Sequence, residues 1–417
     1  MTATLARILG PGHIEMIEDV VQEALLAALG RWPRDGVPAN PTAWLVQVAK
    51  HRALDVLRRE RLAEERETWI RAAIEAWGDR DTHGVLDDPM ILDDQLRMIF
   101  ICSHPAIPAD ARVTLTLKLA GGFGVSEIAR AFLAEEPAIH QRLVRAKRRI
   151  REEGLTFEMP AGPELGERLE SVLEVLYAMF TEGHTAHAGD ALLRRDVCEE
   201  ALRLGSLLLR HHDLARPAVH ALMALFHLHA ARFDTRVGSE GDLVLLAEQD
   251  RSCWDREHIA AGVRHLERSA TGDELTRYHR EAELAACHTL APTWADTNWS
   301  RIVELYDELL KGTQSPVVAL NRAVAVAEVA GPSEGLRVLE ALAGQSILSR
   351  YMPYEAAMGD MLRRLDRHEE ARVHFSRALE RAGSLPVRRF LERRVRECSA
   401  AASQRPVESR GIRPSRA

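Results

Sequence analysis

Between Pro137 and Arg151 the chain carries six positive side chains, Arg142, Arg145, Lys147, Arg148, Arg149 and Arg151, and no acid. Arginine and glutamine can form paired hydrogen bonds with base edges, and flanking arginine and lysine can neutralise phosphates. Ile139, Leu143, Ala146 and Ile150 recur every three or four positions, so on a helix they face inward and leave His140, Gln141, Arg142, Arg145, Lys147 and Arg148 outward. A short helix, Glu127 to Phe132, and a turn at Leu133 to Glu136 come just before. The combination is that of a helix-turn-helix whose second helix suits the major groove. A second basic segment, Trp44 to Arg66, sets six positives (Lys50, Arg52, Arg58, Arg59, Arg61, Arg66) against four acids (Asp55, Glu60, Glu64, Glu65).

Other residues could in principle do catalytic chemistry. The candidates are His184, His187, His220, His227 and His229 with Asp242, Glu248, Asp250 and Asp255. Their spacing matches no metalloprotease, P-loop, nucleophile-elbow or dinucleotide fingerprint. The histidines are expected to be satisfied core or surface residues, and Asp250, Arg251, Trp254 and Asp255 a buried salt-bridged cluster joining helices. The chain is read as non-enzymatic, with no cofactor and no metal. The five cysteines are scattered, with no Cys-x-x-Cys pair, which fits neither a disulfide framework nor a zinc knuckle.

The elements that position these residues are helical. With 46% hydrophobic, 28% charged and 5% aromatic residues, the composition is that of a helix-dominated protein, and 417 residues suffice for several domains. No stretch is apolar enough to span a membrane and the start lacks a secretory signal, so a cytoplasmic protein without membrane contact is expected. The net charge of −7 argues against a protein that coats nucleic acid along its whole length.

Apolar periodicity predicts a first helix over Glu15 to Leu29, stopped by Gly30. A turn from Arg34 to Pro41 precedes a second helix, Thr42 to about Glu65. An acidic linker with Asp79, Asp81, Asp87 and Asp88 spans residues 67–90, and a compact helical unit covers 91–153. A helical extension (164–292) follows, then a repeat-bearing part (293–398) and a disordered tail (399–417). In the repeat, Met358-Gly359-x-x-Leu362 and Ala371-x-x-x-Phe375-x-x-Ala378 match a tetratricopeptide helix pair, with a looser copy at Leu320, Val324, Gly335 and Leu339. The fold class is all-α.

Glu18-Asp-Val-Val-Gln-Glu-Ala-Leu25 resembles sigma region 2.2, Trp44 to Arg59 resembles regions 2.3 and 2.4, and Leu115 to Ile150 resembles region 4.2. In that order they resemble a sigma-70 family factor of the extracytoplasmic-function type. Leu222 to Arg232, Gly241 to Asp255 and Pro316 to Glu328 extend the resemblance to the subgroup with a C-terminal tetratricopeptide-like extension.

The resemblance implies two small helical sigma domains, region 2 over 1–66 and region 4 over 91–153. It implies binding to core RNA polymerase through Asp19, Gln22 and Glu23, and to the melted −10 element through Asn40, Trp44, Lys50 and Arg52. Ala138, His140, Gln141, Arg142, Arg145, Lys147 and Arg148 would contact the −35 element. Trp44 serves equally as a core aromatic. The extension would regulate activity, with a regulatory protein or peptide as the candidate partner on its repeats. Two departures stand out. About 14 residues precede the polymerase-binding helix, so the family's first helix should be short or missing, and Gly124 stands where Ser or Thr usually caps a helix.

Two other functions fit parts of the chain. A one-component helix-turn-helix regulator with a sensing domain explains Leu115 to Ile150 but leaves Glu18 to Arg59 without a purpose. An interaction scaffold explains the repeats alone.

Overall fold

The computed structural model describes residues 1–59, 89–132, 134–184, 188–189, 192–345, 347–348 and 351–403. They fall into two compact units, residues 1–183 with 196–215, and residues 184–195 with 216–417. The fold is all-α: among the described residues the one sheet is a two-residue parallel pairing of Ala188–Gly189 with Gly383–Ser384. No described helix is long and apolar enough to cross a membrane.

The first unit opens with α1 (Thr2–Leu9), whose Leu5, Ile8 and Leu9 are buried. The expected first helix is thus present but short. α2 (Ile14–Asp35) runs past Gly30 and through Pro33, further than its sequence predicted. Proline removes one backbone donor from a helix. Here the Arg34 guanidinium donates to Gly30 O at 3.0 and 2.7 Å, and the last turn closes through Gly36 N–H to Trp32 O at 3.0 Å. Gly36 then ends the helix at φ 86°, a conformation that glycine adopts without strain.

α3 (Pro41–Arg59) packs back on α2, while α4 (Pro89–Cys102) and α5 (Ala109–Leu119) supply the largest buried side chains, among them Met98, Ile99, Phe100, Leu115 and Leu117. α6 (Val125–Phe132) and α7 (Glu136–Glu152) follow, joined by residues 133–135.

Two further helices, α8 (Pro163–His184) and α9 (Arg195–Arg210), also lie largely in this unit. Arg168 of α8 donates to Phe100 O at 2.8 Å, and Arg203 of α9 reaches Gln95 at 3.1 Å. The break expected between 153 and 164 is therefore not where the structure divides. The expected linker, except its last two residues, lies outside the described residues.

The second unit contains α10 (Pro217–Ala230), α11 (Arg256–Ser269), α12 (Arg277–Thr289), α13 (Trp299–Thr313), α14 (Pro316–Ala330), α15 (Pro332–Glu340), α16 (Met352–Arg364), α17 (His368–Glu380) and α18 (Leu385–Ser403). The predicted repeat residues Met358, Gly359, Leu362, Ala371, Phe375 and Ala378 are all buried between α16 and α17. A β-carbon on Gly359 would sit 2.9 Å from the Phe375 ring, which explains the glycine. Gly335 meets Ala327 in the same way between α14 and α15. α18 extends to Ser403, so the chain stays helical past Ser399; the rest of the expected tail lies outside the described residues.

Candidate functional site

α7 is a helix with one buried stripe, formed by Ile139, Leu143, Ala146 and Ile150 as its spacing predicted. His140, Gln141, Arg145 and Arg148 are exposed, and Ala138 and Arg142 partly so. α6 is anchored at its start without a serine or threonine: the Gly124 N–H donates to the Glu127 carboxylate at 2.6 Å, one half of a capping box. Arg148 donates to Glu152 at 2.6 Å, and that bond raises the guanidinium's pKa and holds the Glu152 carboxyl below its usual range. Asp110 lies 3.8 Å from Arg142 and 3.9 Å from Arg145, long exposed contacts worth little in water.

Lys147 departs from its expected outward position. Its side chain is only 14% exposed and pairs with Glu18 of α2, which also lies 3.7 Å from Lys118 of α5. Arg151 reaches Glu15 of α2 at 3.3 Å. The basic helix thus presents its Arg145 and Arg148 side to solvent and gives Lys147 to the interior of the unit.

On α2, Asp19, Gln22 and Glu23 are exposed. Apolar periodicity would turn Leu25 inward with Val20 and Ala24, but it is exposed, as are Leu26 at 67% and Leu29 at 73%. The signal was present in Ala24-Leu-Leu-Ala-Ala-Leu29, since six consecutive apolar residues cannot all fit one inward stripe. The result is an exposed face that combines acids with large apolar side chains. Arg52 of α3 is exposed and lies 3.4 Å from Glu23, joining two expected site residues across the helix pair. Asn40 caps α3, its side-chain oxygen accepting from Ala43 N–H at 3.0 Å. Trp44 is half-buried against Trp32, with ring centroids 5.6 Å apart, and Lys50 is half-buried.

In the second unit the candidate acids are engaged structurally. Asp242 pairs with Arg393, and Glu248 with Arg394 at 2.9 Å. The expected salt-bridged cluster around Asp250 is not what forms. Asp250 accepts from Ser252 N–H and Asp255 from Glu257 and His258 N–H, so both carboxylates are caps, held below their usual range by these bonds. Arg251 instead donates to His288 O at 2.6 Å and Ala291 O at 2.7 Å, tying the C-terminal end of α12, and lies over the Trp254 ring at 4.7 Å. The His184 and His229 rings meet at a tilt of 57° with centroids 4.7 Å apart, and burial pushes both imidazoles well below their usual range. His187 lies outside the described residues.

Residues 2–63, which hold α1, α2 and α3, match Sigma-70 region 2, and residues 168–270 match a family of unknown function, DUF6596. The first match makes the N-terminal part a sigma-70 region 2 domain and supports a sigma-factor role in transcription initiation, with core RNA polymerase as partner. The chain is 38% identical over 371 residues to the uncharacterized protein R00370 of Rhizobium meliloti (strain 1021), covering 88% of this chain and 86% of that protein. It belongs to the same family as that protein.

Proposed function

We propose that the chain is a sigma factor of the extracytoplasmic-function type, which binds core RNA polymerase through α2 and directs it to promoters with separate −10 and −35 elements. The observation that carries this is the pairing, within one chain, of a region 2 domain with an exposed acidic and apolar α2 face and a second helix pair whose α7 is basic outside. In this reading α6 and α7 form a region 4 helix-turn-helix, and Ala138, His140, Gln141, Arg142, Arg145 and Arg148 face the −35 duplex. Lys147 supports the fold instead.

At the −10 element, Arg52 and Lys50 are the candidate contacts on α3. Asn40 orders the start of that helix, and Trp44 positions it against Trp32. The helix pairs of the second unit serve as a tetratricopeptide-like regulatory surface, since stacked pairs of this kind hold peptides or helices rather than perform chemistry.

The two exposed arginines of α7 separate reading from holding. Arg145→Ala is expected to weaken binding to a cognate −35 sequence by about 1–3 kcal/mol and to leave random DNA little affected. Arg148→Ala is expected to weaken all sequences alike and to reduce the salt dependence of binding by about one counterion. Titrations of specific and random duplex at several salt concentrations check both. Equal losses on both duplexes from both changes would remove the assignment.

A further inference from the structure

Four histidines of the second unit form a ladder between α10 and α11. His220 and His227 lie seven residues apart on α10, and His258 and His265 seven apart on α11, so each helix places its two imidazoles on one face. The helices meet closely where Gly262 lies against Leu228 and Ala224 O; a β-carbon at Gly262 would come within 2.8 Å of Leu228. That approach brings His220 opposite His265 and His227 opposite His258, with Nδ1 to Nδ1 distances of 2.9 Å in both pairs. His227 and His265 stack between the pairs, their rings 5.6 Å apart and 10° from parallel. Among the described residues, the side-chain hydrogen-bond partners of these four rings are one another.

Two facing imidazole nitrogens can share one proton, or they can share a metal ion. Ligands at about 2.05 Å from a metal and at right angles to each other are roughly 2.9 Å apart, so each pair is spaced as two adjacent ligands of a tetragonal or octahedral ion. Charge distinguishes the two pairs. Asp255, which caps α11, sets its carboxylate beside the His227–His258 pair, accepting from the His258 N–H at 3.0 Å.

We propose that His227 and His258 form a binding site for one late first-row divalent cation, with water completing the coordination, which clamps α10 to α11.

The test is metal titration of the full chain. Ni2+ is expected to bind with one saturable equivalent and to raise the unfolding temperature. Cu2+ at one equivalent is expected to give an electron paramagnetic resonance spectrum with coupling to two imidazole nitrogens. His227→Gln and His258→Gln should each weaken Ni2+ binding by roughly tenfold or more, whereas His220→Gln should leave it unchanged. His211, His212 and Asp213 form a partly exposed cluster that could hold a metal, so His212→Ala serves as a control and should also leave binding unchanged. Three results would overturn the site: no saturable binding, binding that follows His212 instead of His227 and His258, or a wild-type Cu2+ spectrum without nitrogen coupling. The spectrum keeps the test decisive if a histidine variant fails to fold.

Discussion

Asp19→Lys combined with Glu23→Lys is expected to abolish binding to core RNA polymerase while leaving helix content and unfolding temperature nearly unchanged. Both carboxylates stand on the exposed face of α2, so neither supports the core. The interaction they would lose inside the protein is the contact of Glu23 with Arg52, at 3.4 Å and half-exposed on both sides. Such pairs contribute about 0–1 kcal/mol. Across an interface, by contrast, reversing two charges sets like against like at a cost of several kcal/mol, about a thousandfold or more in affinity. Leu26, 67% exposed beside them, should behave as an apolar anchor, so that Leu26→Asp weakens binding by a different route. Affinity measured on purified core polymerase, with circular dichroism as the folding control, decides it. An unchanged affinity in the double variant would remove α2 as the docking helix.

Glu18→Gln should act in the opposite way, on the fold rather than on the partner. Glu18 is 12% exposed and pairs with Lys147 and, at 3.7 Å, with Lys118, which ties α2 to α7 and α5. Glutamine keeps the shape and removes the charge, leaving two mostly covered ammonium groups without their acid. Breaking a fully buried pair from one side costs about 3–5 kcal/mol, and the residual exposure of these three groups lowers that to about 2 kcal/mol. For a unit of this size that corresponds to a fall of roughly 4–8 °C in its unfolding midpoint. The amide protons of α2, α5 and α7 should exchange faster together. A change no larger than that of Glu15→Gln, which removes the exposed partner of Arg151, would show that the Glu18 contact adds nothing special.

Local patterning carried much of the architecture. The inward stripe of α7, the helix pair around Gly359 and Phe375, and the order of the helices follow from apolar spacing and small residues at close approaches. What escaped depended on partners distant in sequence. Lys147 sits on the helix face that its spacing assigns to solvent, and only the packing of α2 against α7 turns it inward. Gly30 reads as a stop because local propensity is against it, yet the helix runs on through Pro33, and the Arg34 side chain adds bonds to the Gly30 carbonyl near its end.

The Asp250 to Asp255 segment read as a salt-bridged cluster from charge alone. Each carboxylate found backbone N–H groups one turn away, and Arg251 found the end of another helix. Likewise a fragment ending near Gly154 looks self-contained in sequence. In the structure it lacks α8 and α9, whose Arg168 and Arg203 reach Phe100 and Gln95.

As a sigma factor, this chain is expected to make RNA polymerase start at chosen promoters. Transcription in vitro with core polymerase and a set of genomic promoter fragments tests it most directly. The full chain should produce transcripts with defined starts from a subset of fragments. Arg145→Ala should lose that selectivity, and Asp19→Lys with Glu23→Lys should yield no specific product. Duplex binding by the full chain with no core-dependent initiation on any fragment would contradict the sigma assignment and leave a regulator that only occupies DNA.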